Sequence, residues 1–313
     1  MRLTSPVFVL TFVAGGCVVG AASAAKSPSR LKPLPQRPIP RGMALLAVLW
    51  IVAALSVIAV GLTRSLRDET RAAVLARQQV QALALGDAAI QIALQAFVAR
   101  REPLRRVTTA DVVFQGVSMQ VRLMALNGLV DLNTASQPLL QRLFAVAGEV
   151  APETADRLAQ ALVQWRQQRD PGGAPRRLKA PEDLLRLPGV DYDLYARLAP
   201  LLTVDARGSG RINPMMAPVG VLAVLAGNVD VANQVARARD TGQVGVDTSM
   251  FDASLLENTV SRRFRAVASV PMADAGVVHV IRDIALDARS PDGAPWHIFG
   301  SGTRIEPART SRP

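Results

Sequence analysis

Residues 41–62 read RGMALLAVLWIVAALSVIAVGL, and this stretch decides how the rest of the chain is organised. The twenty residues from Met43 to Leu62 carry no charge. A helix of that length covers roughly 30 Å, which is the thickness of the hydrocarbon core of a bilayer. The stretch therefore predicts a membrane-spanning helix over residues 43–62.

The apolar pattern continues past this stretch, and no proline interrupts it before Pro103. Apolar residues recur three, four or seven positions apart, which is the spacing of one stripe on a helix. We therefore predict one helix from Met43 to Arg100, partly in lipid and partly against a soluble domain, with Gly61 and Gly86 as bend points. The stripe consists of Leu62, Leu66, Ala73, Val80, Leu83, Ile90, Leu94 and Phe97.

The charge distribution predicts the orientation of this helix. The 313-residue chain has a net charge of +11, and its 50% hydrophobic and 19% charged residues are typical of a globular protein with added apolar segments. Residues 1–42 hold six of the 36 basic residues and no acidic residue. Basic residues ahead of a span favour the cytoplasmic side. The chain after Leu62 is therefore expected outside the cytoplasm.

Residues 1–25 have the features of a secretory signal peptide, with Arg2, an apolar run and a small-residue exit at Ala22-Ser23-Ala24. Two export signals in series would be unusual, so we expect Lys26 to Gly42 to approximate the working leader. The alternative is that residues 1–42 are simply disordered. Cys17 is the sole cysteine, so no disulfide can form within one chain.

The remaining sequence predicts an α+β fold in which a β-sheet is interrupted by a large helical insertion. Strand-like runs cover 107–115 and 117–126, and strand character returns at 263–270, 276–286 and 296–300. We expect strands from both sides of the insertion to pair. The predicted parts are a leader (1–42), the span (43–62), the helix continuation with the first strands (63–130), the insertion (131–258), the last strands (259–303) and a disordered tail (304–313). Helices of the insertion are expected at 139–146, 152–169, 181–187, 191–201, 218–225 and 229–237.

Little in the sequence indicates catalysis. His279 and His297 are the two histidines, and His279 lies in a strand-like run where a structural role is the simpler interpretation. No Ser-His-Asp set is evident, and Gly208-Ser209-Gly210 is typical of a turn because the third glycine of a dinucleotide fingerprint is absent. We therefore expect no enzymatic activity and no cofactor.

One turn offers a DNA-binding alternative. Residues 187–190, LPGV, resemble the turn of a helix-hairpin-helix element, whose backbone amides bind phosphate. Asp191 and Asp193 place two negative charges where the phosphate would lie, so tight helix packing in a small bundle is preferred. The basic residues that could support DNA binding are Arg176, Arg177, Lys179 and Arg186.

The start of the apolar helix resembles a known leader. A basic, proline-broken segment ending in Arg41-Gly42, followed at once by Met43-Ala44-Leu45-Leu46, is similar to the class III leader of type IV pilins and pseudopilins. The resemblance implies cleavage after Gly42 by a membrane-embedded prepilin peptidase, with Met43 as the first mature residue and its amine methylated. It also implies an inner-membrane location with most of the chain in the periplasm.

The fifth mature position is Ala47, where most members of that superfamily carry glutamate. In an assembled fibre that carboxylate is thought to pair with the terminal amine of a neighbouring subunit, and a buried carboxylate without such a partner would be costly. A subunit with no neighbour above it has no use for the group. This pattern is similar to that of minor pseudopilin K of type II secretion systems, the proposed tip subunit.

Motifs in the soluble part carry the same resemblance over nearly all of residues 42–303. They are 127–135 (NGLVDLNTA), 183–190 (DLLRLPGV) and 211–213 (RIN), although the family often shows Asn-Thr-Ala where this chain has Pro214-Met215-Met216-Ala217. The insertion would then contain bundles similar to sterile-α-motif domains. The implied role is to cap the pseudopilus and help initiate its assembly with minor pseudopilins I and J and other type II secretion components.

The resemblance also implies calcium binding. However, Asp191, Asp193 and Asp205 belong to no twelve-residue calcium loop, and a solvated acidic edge is the preferred interpretation of these residues.

Two alternatives to a pseudopilin remain. They are a membrane-anchored DNA-uptake protein that uses the 187–190 turn and an ordinary signal-anchored periplasmic binding module.

The leader interpretation predicts that prepilin peptidase cleaves after Gly42. Because cleavage needs a small residue ahead of the apolar helix, Gly42→Val should leave a longer product that cannot assemble. N-terminal sequencing of the mature protein measures this directly, and a mature protein that begins at Lys26 would contradict the prediction.

Overall fold

The computed structural model describes residues 41–100, 102–169, 172–243, 245–272, 276–286 and 293–307. The expected leader before residue 41, including Cys17, and the end of the expected tail lie outside these ranges. The chain forms two compact units, Met1–Leu66 and Arg67–Pro313. Its elements give an α+β fold, as the sequence predicts.

The first helix, α1, runs from Arg41 to Arg100 and confirms the prediction of one continuous helix. No proline removes a backbone donor within it, and it ends shortly before Pro103, which disfavours helical geometry at the residue ahead of it. Within the unit 67–313, its buried positions recur three or four residues apart and form one apolar stripe. These positions are Ala82, Leu85, Ala89, Ile90, Ala93 and Leu94.

Five strands form one antiparallel sheet in the order β1-β2-β5-β6-β7. The β1–β2 turn has positive φ at Gln115 (50°) and Gly116 (77°), which is the geometry of a tight hairpin turn. The pairing of β2 with β5 joins strands from either side of the insertion, as predicted. The five strands are β1 (Thr108–Phe114), β2 (Val117–Ala125), β5 (Arg263–Met272), β6 (Gly276–Ala285) and β7 (His297–Glu306).

The apolar stripe of α1 packs on one face of this sheet. Phe97 of α1 meets Phe264 of β5 edge to face, with ring centroids 5.8 Å apart. At the same interface the carboxylate of Asp87 lies 2.8 Å from the guanidinium of Arg282 in β6. The second half of α1 is therefore the core helix of the sheet.

The insertion between β2 and β5 is mostly helical and has its own apolar core. The helix predicted over 139–146 begins earlier, at Gln137, and its last turn, Leu143–Ala147, widens to π-helical geometry. The segment Pro181–Arg186 is a 3₁₀-helix. The helices are α2 (Gln137–Arg142), α3 (Pro152–Gln167), α4 (Tyr192–Leu198), α5 (Val219–Ala226) and α6 (Val229–Asp240).

Two features of the strands differ from the prediction. A short parallel pair, β3 (Val130–Asp131) with β4 (Leu202–Thr203), closes the first part of the insertion and has no signal in the sequence because each strand has two residues. Strand β7 continues to Glu306, past the predicted end at Gly300 and into the expected tail, because it remains in register with β6 as far as Val277. Gly300, where the predicted strand ended, pairs with Asp283 next to a β-bulge. Glycine within a strand often marks such a bulge.

The close approach of α1 to β6 predicts the effect of a substitution at Gly86. A β-carbon at Gly86 would lie 2.4 Å from Cγ2 of Val280, so Gly86→Val should lower the free energy of unfolding by roughly 2 kcal/mol. Gly172→Val is the matched control, because a β-carbon there meets nothing within 4 Å. Urea unfolding of both variants measures the difference, and a Gly86→Val variant as stable as the wild type would contradict this packing.

Candidate functional site

The beginning of α1 presents an apolar surface with no protein cover. Every described side chain from Leu45 to Ser56 is exposed, with Trp50 75% accessible, and none is charged. The hydroxyl of Ser56 donates to the carbonyl of Val52 at 2.8 Å, so the single polar side chain of this segment is satisfied within the helix. Exposed apolar area of this extent calls for lipid or another protein.

The predicted leader residues fall at the start of this segment. Gly42 and Met43 belong to the first turn of α1, and the side chain of Met43 lies outside the described part of the chain. Ala47 is described, and its methyl group is exposed among other apolar side chains. The fifth mature position therefore lies on the uncovered apolar surface.

Among the described residues, one helical stretch is long and apolar enough to cross a membrane, and it is Ala72–Arg100. Its most apolar 18-residue window has a mean hydropathy of 1.6 and is 39% buried, whereas the described part of the first apolar segment, Leu45–Ser56, is shorter. Ala72–Arg100 supplies the stripe that packs on the sheet and carries the ion pair of Asp87. It is therefore better explained as the core helix of a folded unit than as a span.

The two asparagine motifs of the sequence meet where the insertion joins the sheet. The backbone N–H of Asn213 donates to the carbonyl of Asn127 at 2.8 Å. Both side-chain amides donate to the carbonyl of Thr259, at 3.0 Å from Asn127 and 3.2 Å from Asn213. A β-carbon at Gly128 would lie 2.2 Å from the carbonyl oxygen of Met216, so only glycine fits there. These contacts close the base of the insertion.

Asn133 and Asp131 satisfy buried backbone groups of the insertion. The amide of Asn133 donates to the carbonyls of Leu178 (2.9 Å) and Val204 (2.8 Å) and accepts from the N–H of Leu178 (2.9 Å). The carboxylate of Asp131 accepts from the backbone N–H groups of Asn133 (2.8 Å) and Ala206 (3.1 Å). The motif 127–135 is thus a structural clamp.

Burial shifts the pKa of two charged side chains at this clamp, Asp131 and Arg166. Loss of hydration raises the pKa of Asp131, although the two N–H donors act in the opposite direction. The same cause lowers the pKa of Arg166, which the charge of Asp131 partly offsets. Arg166 donates to the carbonyl of Ala135 at 3.0 Å, which ties α3 to the end of the motif.

Two arginines of β5 hold the insertion against the sheet. The guanidinium of Arg265 forms a bidentate pair with Asp283, at 2.7 and 2.9 Å, and also donates to the carbonyl of Leu202 at 3.0 Å. Arg263 pairs with Asp205 of the insertion and lies over the ring of Phe299. These contacts could not be predicted from the sequence, because an arginine in a strand is usually a solvated residue.

The segment that departs from the family pattern has a structural role here. In Pro214-Met215-Met216-Ala217 the backbone N–H of Met215 donates to the side chain of Asn213 at 3.0 Å, which forms a turn. Met216 is 1% exposed and belongs to the apolar core between α1 and the sheet. This turn therefore anchors the insertion in the other core.

The turn around Gly189 uses its groups internally. Gly189 has φ 91°, and a β-carbon there would lie 3.2 Å from Cδ2 of Leu158, so the turn packs closely on α3. The carboxylate of Asp191 caps α4 by accepting a backbone N–H at 2.7 Å, where a phosphate would otherwise bind. Arg186 pairs with Asp183 at 3.2 Å. The geometry is that of helix packing.

Three strands bring together a hydrogen-bonded set that the sequence analysis did not foresee. Nδ1 of His279 lies 3.1 Å from the hydroxyl of Ser269, and its Nε2 lies 3.1 Å from the carboxylate of Glu306. Ser269 and His279 are register partners in the β5–β6 ladder, so the nearby backbone N–H groups serve the sheet and not an oxyanion hole. His297 is exposed at the start of β7. The set links the strands β5, β6 and β7.

The acidic residues considered for calcium have other partners. Asp191 caps α4, exposed Asp193 lies in the first turn of the same helix, and Asp205 pairs with Arg263 and Arg207. Across the described ranges, no three His, Cys, Asp or Glu side chains are grouped to hold a metal ion.

The raised pKa of Asp131 predicts a pH-dependent stability. The unfolded carboxyl ionises near its ordinary value of 3.8, whereas the folded one resists ionisation, so its contribution to stability falls as the pH rises through the folded pKa. The stability difference between the wild type and Asp131→Asn should therefore be largest below pH 3.8 and shrink as the pH rises through the folded pKa. Asn133→Ala is the control, because it breaks the same clamp without removing a titratable group. Urea unfolding across this pH range measures both, and a difference that grows with pH would contradict the assignment.

No protein-family model matches the sequence, and no curated protein matches it either. Among solved structures, the chain is similar to a chain of the crystal structure of the GspK-GspI-GspJ complex from the type 2 secretion system of enterotoxigenic Escherichia coli. The two chains share 15% sequence identity with a TM-score of 0.48, and the similarity covers 74% of this chain and 98% of that chain.

Proposed function

We propose that this chain is a minor pseudopilin of the type II protein secretion system, of the K type. It caps the tip of the pseudopilus and helps to initiate its assembly, which exports folded proteins across the outer membrane. The observation that carries the proposal is the order of the three parts of α1 along the chain. One helix begins at the predicted cleavage site, exposes a charge-free apolar segment, and ends as the core helix of an antiparallel sheet.

The placement of the insertion supports the K type in particular. The helical insertion lies between β2 and β5, and the motifs that carry the sequence resemblance form the clamp at its base. Side chains of these motifs form hydrogen bonds that stabilise the fold of this chain. The sequence resemblance therefore includes residues with a structural role. The division of the chain into leader, span, pilin-like part, insertion, last strands and tail is part of this proposal.

The exposed apolar segment supports a membrane location. Residues 45–56 carry no charge and no protein cover, and the uncharged sequence continues to Leu62. In a bilayer each buried side chain of this kind contributes about 1.5 to 3 kcal/mol. We place residues 43–62 across the inner membrane, with cleavage between Gly42 and Met43 by prepilin peptidase, methylation of Met43, and the rest of the chain in the periplasm.

The tip position rests on Ala47. A carboxylate at this position would need the terminal amine of a subunit above it, and the alanine methyl needs no such partner. Below the tip, the partners we propose are minor pseudopilins I and J. The DNA-uptake alternative has less support, because the capped helix after the 187–190 turn offers no free site for phosphate.

The tip assignment predicts that a carboxylate at position 47 is harmful. Ala47→Glu should reduce co-purification with minor pseudopilins I and J and lower secretion of folded proteins, since an unpaired carboxylate in lipid costs several kcal/mol. Ala47→Gln is the matched control, because it adds nearly the same volume without the charge. Both variants are expressed in a strain that lacks the native protein, and exported proteins are measured in the culture supernatant.

Two outcomes of that experiment would count against the proposal. Secretion that is unaffected by loss of the native protein would contradict a role in the secretion system. Improved assembly of Ala47→Glu, with the protein detected along the length of overproduced fibres, would contradict the tip position.

A further inference from the structure

A pocket of about 420 Å³ opens between the β1–β2 hairpin and the helices α5 and α6 of the insertion. Its walls come from the start of β1, the middle of β2, the beginning of α5 and the end of α6. A volume of this size is typical of pockets that bind small molecules. It is separate from the clamp and from the apolar segment of α1.

The charge on the pocket wall is strongly positive. Arg106, Arg122 and Arg239 contribute three guanidinium groups, and Asp240 is the single acidic lining residue. The carboxylate of Asp240 already accepts a hydrogen bond from Nε of Arg239 at 2.8 Å. Among the described residues, no carboxylate forms an ion pair with Arg106 or Arg122. The pocket therefore has positive charge that the described residues do not balance.

The fold holds these arginines in place. Arg239 is 3% exposed, and its Nη1 donates to the carbonyl of Ala217. Arg106 lies against the chain that follows α6, since a β-carbon at Gly242 would be 3.0 Å from its Nη1. Arg122 projects from β2 opposite Thr109 of β1. The three arginines thus come from two different parts of the chain, and Arg239 is the one whose guanidinium hydrogen bonds hold in place.

We propose that this pocket binds a small ligand through a phosphate group. A guanidinium presents paired N–H donors that match phosphate oxygens, and several arginines suit a group with more than one negative charge better than a single carboxylate. The hydroxyl of Thr109 supplies a further donor at the rim. Val219 and Met124 give apolar walls for the remainder of the ligand.

The phosphate has two chemical sources, a soluble phosphate ester and the headgroup of a phospholipid. A soluble monoester and phosphatidic acid, the phospholipid whose headgroup is itself a monoester, present the same three terminal oxygens to the arginines, and they differ in whether an acyl chain improves binding. This inference does not depend on the proposed secretion function, because it rests on residues of the pocket alone.

The test measures phosphate binding to the full-length protein in micelles of an uncharged sugar detergent. Isothermal titration calorimetry with glycerol 1-phosphate should show saturable binding at low ionic strength, and Arg122→Gln should weaken it about tenfold. Arg105→Gln is the matched control, because it removes one neighbouring charge from a residue that lines a different hollow. Its affinity should equal that of the wild type. Arg122 is exposed, so its replacement leaves both cores intact.

Short-chain phosphatidic acid then distinguishes the two sources. If it binds at a lower concentration than glycerol 1-phosphate does, the lipid headgroup is supported, and if it binds more weakly, the soluble ester is supported. Absence of saturable binding up to about 10 mM would overturn the proposal. So would an equal loss of affinity in Arg105→Gln and Arg122→Gln, because general attraction of anions would then explain the binding.

Discussion

The packing of α1 on the sheet is the contact on which the rest of the unit 67–313 depends. A sheet of five strands has two faces, and the face under α1 carries most of its buried apolar side chains. Gly86 allows the helix to approach Val280 closely, and the pair of Asp87 with Arg282 fixes the helix along its own axis. Without this cover the sheet would expose a continuous apolar surface. The edge strands β1 and β7 would then be held by hydrogen bonds alone.

The insertion presents a different physical problem, because about 130 residues leave and re-enter the sheet between adjacent strands. The backbone at such a crossing loses water without gaining strand partners, so side chains must supply the hydrogen bonds. Asn127 and Asn213 donate to the carbonyl of Thr259, and the amide of Asn133 both donates and accepts. Met216 adds an apolar anchor in the sheet core. The sheet therefore tolerates the insertion without a break in the β2–β5 ladder.

Periodicity accounts for what the sequence predicted correctly. The stripe of α1, the β1–β2 hairpin and the return of strand character near Arg263 are local patterns, and the structure contains all three. The full length of β7, the β3–β4 pair and the Ser269–His279–Glu306 set depend on register between distant strands, which a single sequence does not encode locally. The phosphate pocket was missed for the same reason. Of the predicted site residues, Ala47 lies on an exposed apolar surface.

The clamp at the base of the insertion also has an evolutionary consequence. The entropic cost of closing a chain segment rises only slowly with its length, so a module whose ends are fixed together can grow or shrink at little cost to the host fold. Asn127, just before the insertion, donates to the carbonyl of Thr259, just after it, at 3.0 Å, which holds those ends together. Helices beyond the clamp are free to diverge in sequence and length while the sheet and α1 keep their geometry. The insertion is thus the part of this chain best suited to acquire new binding partners.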